Sequence, residues 1–350
     1  MKLPSGSFFS FMNNKDSWKF CVAPMLDWTD RHCRFFHRQL SRDARLYTEM
    51  VTTGALIYGD KPRHLDFNKE EHPVALQLGG SDPKDMAVCA KLAQDWGYDE
   101  VNINCGCPSE RVQKGSFGAC LMSEPALVAD CVKAMRDAVD IPVTVKHRIG
   151  IDKIENYDFV RDFVGTVSEA GANVFIVHTR NAWLKGLSPK ENREIPPLKR
   201  EFAYQLKKDF PELIFVINGA IQDLGQAEEQ LKFVDGVMVG RAAYNTPWLL
   251  SDVDDRLYGD SHEPITRDKV IEVMTEYLKT VESDQRAVRA VCRHMHGLLT
   301  GLAGAKAWRR TLSDSAAIEH EGSNILNYAY AKAGWSDIER YWDADDDNFG

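Results

Sequence analysis

Eight short apolar runs alternate with longer segments of helical periodicity between residues 20 and 240, and this alternation constrains the fold most strongly. Most runs are apolar throughout, which is typical of strands buried on both faces. They are FCVAPM (20–25), ARLYTEM (44–50), PVALQL (73–78), EVNIN (100–104), IPVTVK (141–146), NVFIVH (173–178), LIFVIN (213–218) and DGVMVG (235–240). Eight strand–helix units predict an α/β fold, a (β/α)8 TIM barrel. A doubly wound sheet is the alternative, because strand order cannot be read from sequence.

The intervening segments carry helix start signals. DPKDMAVCAKLAQDWG (82–97) and EPALVADCVKAMRDAV (124–139) each open with an acidic residue followed by proline. Beyond a turn-rich stretch at 247–264, residues 266–310 show helical patterns only. We therefore expect a flexible N-terminus at 1–18, the barrel at 19–255, a smaller all-α helical domain at 256–336 and an acidic C-terminal tail at 337–350.

The formal net charge of −9 counts against a nucleic-acid partner, but the charges are unevenly distributed. The acidic tail supplies −5 of it, whereas residues 285–310 carry six arginines and lysines and no acidic residue. No apolar run approaches the ~20 residues of a membrane-spanning helix. Eight cysteines without a signal peptide predict reduced thiols. We expect a cytoplasmic protein with no membrane contact and no obligate protein partner.

Polar residues follow most of the apolar runs. The carboxyl ends of parallel barrel strands meet at one mouth, where such enzymes carry their chemistry. These ends read Pro24-Met25, Glu49, Gln77, Asn104, Lys146, His178, Asn218-Gly219 and Gly240-Arg241. Any one of these polar side chains could be a core residue that is hydrogen-bonded within the protein. A ring of buried polar groups without partners would cost free energy, and it therefore predicts a bound ligand that supplies the partners.

The last two strand ends have the form of a phosphate site. Asn218-Gly219-Ala220 and Gly240-Arg241-Ala242 each precede a helix, in the position where this barrel usually binds phosphate. Two ordinary glycine turns are the alternative. Lys146 is suited to a Schiff base or to fixed positive charge beside an anionic cofactor. His178 has no partner at metal-ligand spacing, so we expect no metal site.

The stretch NINCGCPS (102–109) turns a strand into a loop at the mouth. Its Gly-Cys-Pro sequence holds Cys107 in a tight bend at the rim, where a thiol can act as nucleophile or general acid. Cys89, Cys131 and Cys292 lie in helical patterns and are expected to be core residues.

Together these motifs resemble the tRNA-dihydrouridine synthases. The resemblance rests on NINCGCPS with GSFGACLM, APMLDWTDRHCR (23–34), LQLGG (76–80), KHRIG (146–150), HTR (178–180), NGAI (218–221) and GRAA (240–243). The segment WLKGLSPKENREIPPL (183–198) is similar to the A-type subfamily, which modifies uridines 20 and 20a of tRNA. The resemblance implies FMN at the barrel mouth, NADPH as electron donor, and tRNA bound through its D-loop and elbow.

The resemblance also implies roles for matching positions. Cys107 would be the catalytic proton donor, and Asn104 would contact the target base. FMN would be held by Pro24, Met25, Leu26, Gln77, Lys146, His178, Asn218, Gly219, Ala220, Gly240 and Arg241. Contacts with tRNA would come from Lys190, Arg193, Lys306 and Arg309. Arg148 and Arg180 lie near the expected mouth without an assigned role.

These roles agree with the residue types. Reducing the 5,6 double bond of uracil needs a hydride on C6 and a proton on C5, and a thiol is a suitable weak acid for the second. No G-x-G-x-x-G motif follows the first strand, so we expect the nicotinamide to dock at the flavin face before tRNA does. Three other functions stay open: a flavin barrel acting on a free pyrimidine, a Schiff-base lyase, and a non-catalytic RNA-binding protein.

Overall fold

The expected alternation of strands and helices is present in the computed structural model, which describes residues 15–109, 112 and 115–335. The predicted acidic tail at 337–350 and most of the predicted N-terminal segment lie outside these residues. Within the described part of the chain, no helix is long and apolar enough to cross a membrane.

Eight parallel strands form one sheet, in the order β1-β8-β7-β6-β5-β4-β3-β2. They are β1 (Phe20–Val22), β2 (Leu46–Thr52), β3 (Val74–Gly79), β4 (Glu100–Cys105), β5 (Val143–Arg148), β6 (Val174–His178), β7 (Ile214–Asn218) and β8 (Gly236–Val239). A parallel bridge between Cys21 and Arg45 joins β1 to β2 and closes the sheet. The (β/α)8 barrel is therefore confirmed, and the doubly wound alternative is wrong.

Three predicted strand ends are displaced by two or three residues. β1 ends at Val22, before Pro24, whereas β2 continues past Glu49 and β5 continues past Lys146 to Arg148. A polar residue does not end a barrel strand, because its side chain can point into the interior while the backbone ladder continues. Arg148 accordingly still pairs with His178 of β6.

Helices surround the barrel and make up the C-terminal part. The barrel carries α1 (Arg31–Arg38), α2 (Thr53–Tyr58), α3 (Lys61–Leu65), α4 (Pro83–Trp96), α5 (Pro125–Ala138), α6 (Tyr157–Glu169), α7 (Arg200–Asp209), α8 (Leu224–Leu231) and α9 (Arg241–Asn245). Short 3-10 and π turns at Pro247–Asp252 and Asp254–Tyr258 follow, and then α10 (Arg267–Val281), α11 (Gln285–His294), α12 (Ala305–Leu312), α13 (Ser315–Glu321) and α14 (Ile325–Lys332). The two Asp/Glu-Pro segments form α4 and α5 within a residue or two of the predicted bounds.

The strands separate two apolar clusters. The larger one packs strand residues such as Val22, Leu76 and Val145 against the surrounding helices. The smaller one consists of Trp18, Ala23 and strand residues, and its strand residues are Cys21, Tyr47, Ala75, Val174, Ile176, Ile214, Val216 and Met238. Neighbouring residues of a strand point to opposite faces, so the smaller cluster fills the barrel interior.

One carboxylate is buried in the same interior. Glu100, the first residue of β4, accepts hydrogen bonds from Trp18 Nε1 (2.7 Å), Tyr47 OH (2.8 Å) and Thr144 Oγ1 (2.5 Å). Its Oε2 also lies 3.2 Å from Nη1 of Arg45, which is buried as well. A buried charge is tolerated only with such a set of partners.

We expect Glu100→Gln to destabilise the fold by about 3–5 kcal/mol, because it leaves the buried Arg45 guanidinium without its counter-charge. Urea unfolding followed by far-UV circular dichroism measures the loss. Glu276→Gln is the matched control, since Glu276 pairs with Lys279 at the surface (2.7 Å) and is expected to change stability by less than about 1 kcal/mol. Equal stability of the two variants would show that the buried Glu100–Arg45 pair does not stabilise the barrel.

Candidate active site at the barrel mouth

The strand register gathers the expected mouth residues. Asn104 of β4 is the register partner of Lys146 on β5, and His178 of β6 is the partner of Asn218 on β7. Gln77 of β3 is likewise opposite Asn102. Polar side chains from strands β3 to β7 therefore share the carboxyl-terminal end of the barrel.

A column of hydrogen bonds connects this mouth to Glu100. Asn104 Nδ2 donates to Gln77 Oε1 (2.9 Å), and Gln77 Nε2 donates to Asn102 Oδ1 (2.8 Å). Asn102 Nδ2 donates to Thr144 Oγ1 (2.8 Å), which donates to the Glu100 carboxylate. Every donor in the column points toward Glu100, because a carboxylate can only accept.

The column ends on the loop that carries Cys107. With its nitrogen turned to Gln77, Asn104 presents Oδ1 to the backbone N–H groups of Gly106 (3.0 Å) and Cys107 (2.9 Å). The carbonyl of Cys107 accepts from Ala119 N at 2.9 Å. The bend that the Gly-Cys-Pro sequence predicts is therefore held by Asn104, whose own side chain is bonded to the polar residues of the barrel interior.

Cys107 differs from the other thiols. It is half-buried, and its Sγ donates to Ser109 Oγ at 3.6 Å. The expected core cysteines are buried, and burial raises the pKa of Cys89, Cys131 and Cys292 to about 12 in each case. Cys120 is also half-buried, but its Sγ donates to the carbonyl of Phe117 at 3.1 Å.

Two basic residues at the mouth have strongly altered acidities. Burial, with repulsion from Arg148, lowers the pKa of Lys146 to about 7. Burial and the nearby cations lower the pKa of His178 well below its ordinary value, so its imidazole is neutral. Among the described residues no group of three or more His, Cys, Asp and Glu side chains could hold a metal ion.

Arg148 joins three loops of the mouth. Its guanidinium donates to the carbonyls of Gly106 (3.2 Å), Asn181 (3.0 Å) and Asn192 (2.8 Å). The side chain of buried Asn192 in turn bonds both backbone groups of Trp183. The segment 183–198 is thereby tied to the Cys107 loop. Sequence reasoning missed this role of Arg148 and Asn192, since no local pattern signals bonds to distant carbonyls.

A second cluster of arginines lies beside β7 and β8. Arg200 Nη2 donates to the carbonyls of Gly219 and Ala220, both at 3.3 Å. Burial and the charges of Arg241 and Arg200 lower the pKa of Arg180. Within the described structure, the buried Nε atoms of Arg180 and Arg200 have no hydrogen-bond partner. An anion is the group that satisfies such donors and offsets their repulsion.

The loop after β7 differs from the prediction. Asn218-Gly219-Ala220 does not lead directly into a helix, because α8 begins at Leu224 and its N-cap Asp223 accepts from Gln226 N. The helix start is thus occupied by a carboxylate rather than open to phosphate. Gly219 has a φ of +135°, and a Cβ there would lie 2.9 Å from Thr179 Oγ1. The loop itself, rather than the helix, contributes to the site.

The loop after β1 supplies apolar surface. Pro24 and Met25 are half-buried, and Met25 packs on the interior cluster. Leu26 is 65% exposed and lies next to Met25 on the same loop. The loop is held by Thr29, whose Oγ1 accepts from Met25 N at 2.9 Å.

The four residues that are expected to contact tRNA are all exposed. Some other basic residues of the helical part form ion pairs. Lys190 and Arg193 lie on the segment 183–198, and Lys306 and Arg309 lie on α12. Of the arginines on α11, Arg289 forms an ion pair with Glu319 (2.6 Å).

Comparison with known proteins adds to this geometry. The family described as "Dihydrouridine synthase (Dus)" matches residues 21–333. A "tRNA-dihydrouridine(20/20a) synthase" from Escherichia coli (strain K12) is 56% identical over 314 residues, 89% of this chain and 91% of that protein. A relative with the same name from Vibrio vulnificus (strain CMCP6) is 55% identical over 90% of this chain and 97% of its own length. The fold is shared with a solved 2-naphthoyl-CoA reductase complex, at a TM-score of 0.55 and 12% identity, over 71% of this chain and 51% of that one.

Proposed function

Because the chain belongs to the dihydrouridine synthase family, we propose that it reduces the C5–C6 double bond of uridines 20 and 20a in the D-loop of tRNA, with FMN as prosthetic group and NADPH as electron donor. The observation that carries this proposal is the half-buried Cys107 thiol, held at the barrel mouth by Asn104 beside Lys146.

The residues at the mouth fit FMN. The unpartnered Nε atoms of Arg180 and Arg200 suit a phosphate group. Arg241 lies nearby and pairs with the Glu194 carboxylate, for which a bound phosphate would substitute. The exposed Leu26 and the half-buried Met25 suit one face of a flat ring. Gln77 has a second N–H and a second lone pair beyond those used in the column, which suit a pyrimidine edge. When bound, FMN supplies the hydride.

The protein's own groups supply the other half of the reaction. Protonated Lys146 stabilises negative charge that develops next to it. Cys107 Sγ holds the proton that goes to C5 of the uracil ring. Arg148 keeps this thiol in position through the carbonyl of Gly106.

The substrate must present one base outside its stack. Ring carbons of a stacked base are inaccessible, so the target uridine has to be extruded into the mouth, where Asn104 would contact it. Affinity then comes from phosphate contacts elsewhere, for which Lys190, Arg193, Lys306 and Arg309 are exposed. We expect NADPH to reduce the flavin at the same face before tRNA binds.

The first test is Cys107→Ala. We expect flavin to stay bound and reducible by NADPH, while dihydrouridine formation falls about 10²–10⁴-fold, the usual contribution of a general acid. Mass spectrometry of tRNA measures the two-mass-unit gain. Cys120→Ala is the control, since Cys120 is also half-buried but donates to the Phe117 carbonyl. Unchanged turnover of Cys107→Ala would refute the assignment.

The second test uses the acidity of Lys146. Its pKa is about 7 in the unliganded protein, and a flavin ring acceptor that takes a hydrogen bond from the ammonium would favour the charged form and raise that pKa. Binding above pH 7 therefore takes up a proton, and FMN affinity should fall with rising pH, by at most about tenfold per pH unit. Titration of the apoprotein by flavin fluorescence between pH 6 and 9 measures this slope.

Lys146→Arg provides the matched control, because arginine stays charged throughout this range and should bind FMN with little pH dependence. Lys146→Met should bind FMN more weakly than the wild type, and its FMN affinity should also show little dependence on pH. A slope in Lys146→Met equal to that of the wild type would assign the titration to another group.

The third test addresses tRNA affinity. Reversing Lys306 and Arg309 to Glu should weaken tRNA binding and reduce the log–log salt slope by about two, because two phosphate contacts are lost. The visible flavin spectrum should not change. Reversal of Lys91 and Lys133, which are exposed on α4 and α5 and form ion pairs within their own helices, is the control. A salt slope identical to the wild type would exclude α12 from the interface.

A further inference from the structure

A cavity of about 380 Å³ lies where the barrel meets the helices of the C-terminal part. Its walls include Trp28 from the β1 loop, Tyr244 from α9, Arg293 from α11, Arg309 from α12, and His296 and Thr300. The volume falls in the range of about 300–1,000 Å³ that is usual for ligand pockets. The function proposed above uses Arg309 of this lining for a phosphate contact with tRNA, but it gives no role to Trp28, Tyr244 or Arg293.

One wall of the cavity is aromatic. The rings of Trp28 and Tyr244 are stacked, with their centroids 4.3 Å apart and their planes inclined by 16°. Both side chains are half-buried. An aromatic pair that is left partly exposed beside a cavity offers a platform on which another flat ring can stack.

Another part of the lining is cationic. Arg293 and Arg309 are exposed, and none of the described residues that line the cavity is acidic. Burial and the charges of Arg309 and Arg293 lower the pKa of His296, which disfavours a positive charge on its ring. Arg293 Nη2 lies 3.9 Å from the carboxylate of Asp30, at the edge of ion-pair distance. A flat ring together with an anion therefore matches the aromatic and the cationic parts of the lining.

The aromatic platform is rigidly supported. Tyr244 OH is 3.0 Å from His294 Nδ1, and His294 Nε2 is 2.9 Å from Asp30 Oδ2. Burial opposes ionisation of Asp30, but His294 and the α1 amides outweigh it and lower the pKa to about 2. Trp28 N donates to the carbonyl of Met25 at 3.0 Å. The platform is therefore a single turn of chain away from Met25, which is expected to contact the flavin.

We propose that this cavity binds a nucleotide directly adjacent to the target uridine, with its base stacked on the Trp28–Tyr244 pair and its phosphate held by Arg293 and Arg309. The inference rests on the proposed function, since extruding one uridine brings its neighbour close to the mouth. Stacking on an aromatic side chain contributes substantially to binding and tolerates any base, and the arginines add the phosphate contact.

The test measures tRNA affinity with the oxidised, flavin-loaded protein, so that it does not depend on turnover. Trp28→Ala should weaken binding about tenfold, whereas Trp28→Phe, which keeps a ring, should lose less than about threefold. Arg293→Gln should reduce the log–log salt slope by about one. Tyr58→Ala is the control, because Tyr58 is 85% exposed on α2 and is not among the residues that line the cavity.

The decisive arm uses tRNA that lacks the base on the 5′ or the 3′ side of the target uridine. At one of these positions, removal of the base should weaken binding to the wild type by the same factor as Trp28→Ala weakens binding of intact tRNA. Binding to Trp28→Ala should then not weaken further when that base is removed. Additive losses at both positions, or unchanged affinity of Trp28→Ala, would overturn the proposal. A loss confined to flavin reduction by NADPH would assign the cavity to the dinucleotide and also overturn it.

Failure of the proposed function would be recognised separately. In that case the wild-type protein would form no dihydrouridine in tRNA with NADPH. The cavity proposal fails alone when the wild type is active and Trp28→Ala, with an unchanged flavin spectrum, binds tRNA as tightly as the wild type.

Discussion

The buried carboxylate of Glu100 determines the direction of every hydrogen bond above it in the barrel. Because Glu100 can only accept, Thr144 and the amides of Asn102 and Gln77 must turn their donors downward. Asn104 then has its oxygen left for the loop of Cys107. Hydrogen bonds aligned in this way polarise and strengthen one another. The position of the thiol at the mouth is therefore set by the packed interior, not by the loop alone.

Positive charge is concentrated at the same mouth although the chain as a whole is acidic. Lys146, Arg148 and Arg180 all have lowered pKa values, because burial and mutual repulsion disfavour their charged forms. A protein that keeps such groups together bears an energetic cost unless an anion binds there. This local field, rather than the net charge of −9, is what a phosphate or a nucleic acid meets.

The barrel could be predicted from the sequence because strand and helix periods alternate regularly. Helices α4 and α5 could be predicted because an acidic residue followed by proline marks the start of each. The end of β5 could not be predicted, because the Lys146 side chain points into the barrel while the backbone stays paired with β6 as far as Arg148. Asp223 was an available cap signal for the later start of α8. The bonds of Arg148 to three carbonyls depend on tertiary proximity, and no sequence pattern carries that information.

The contacts between α1 and the C-terminal helices fix the relative position of the two regions to which the proposed function assigns one substrate. Asp30 bonds to His294 of α11, and Tyr277 of α10 stacks on Phe35 at 4.1 Å and bonds His32 at 2.7 Å. Because α1 directly follows the β1 loop, these contacts fix α10 and α11 relative to the mouth. A flexible joint would let phosphate-binding side chains move independently of the thiol, and part of the binding energy would then be lost in ordering them. A rigid joint fixes the separation between the two regions, and under the proposed function we therefore expect RNA shape rather than base sequence to select which uridine reaches Cys107.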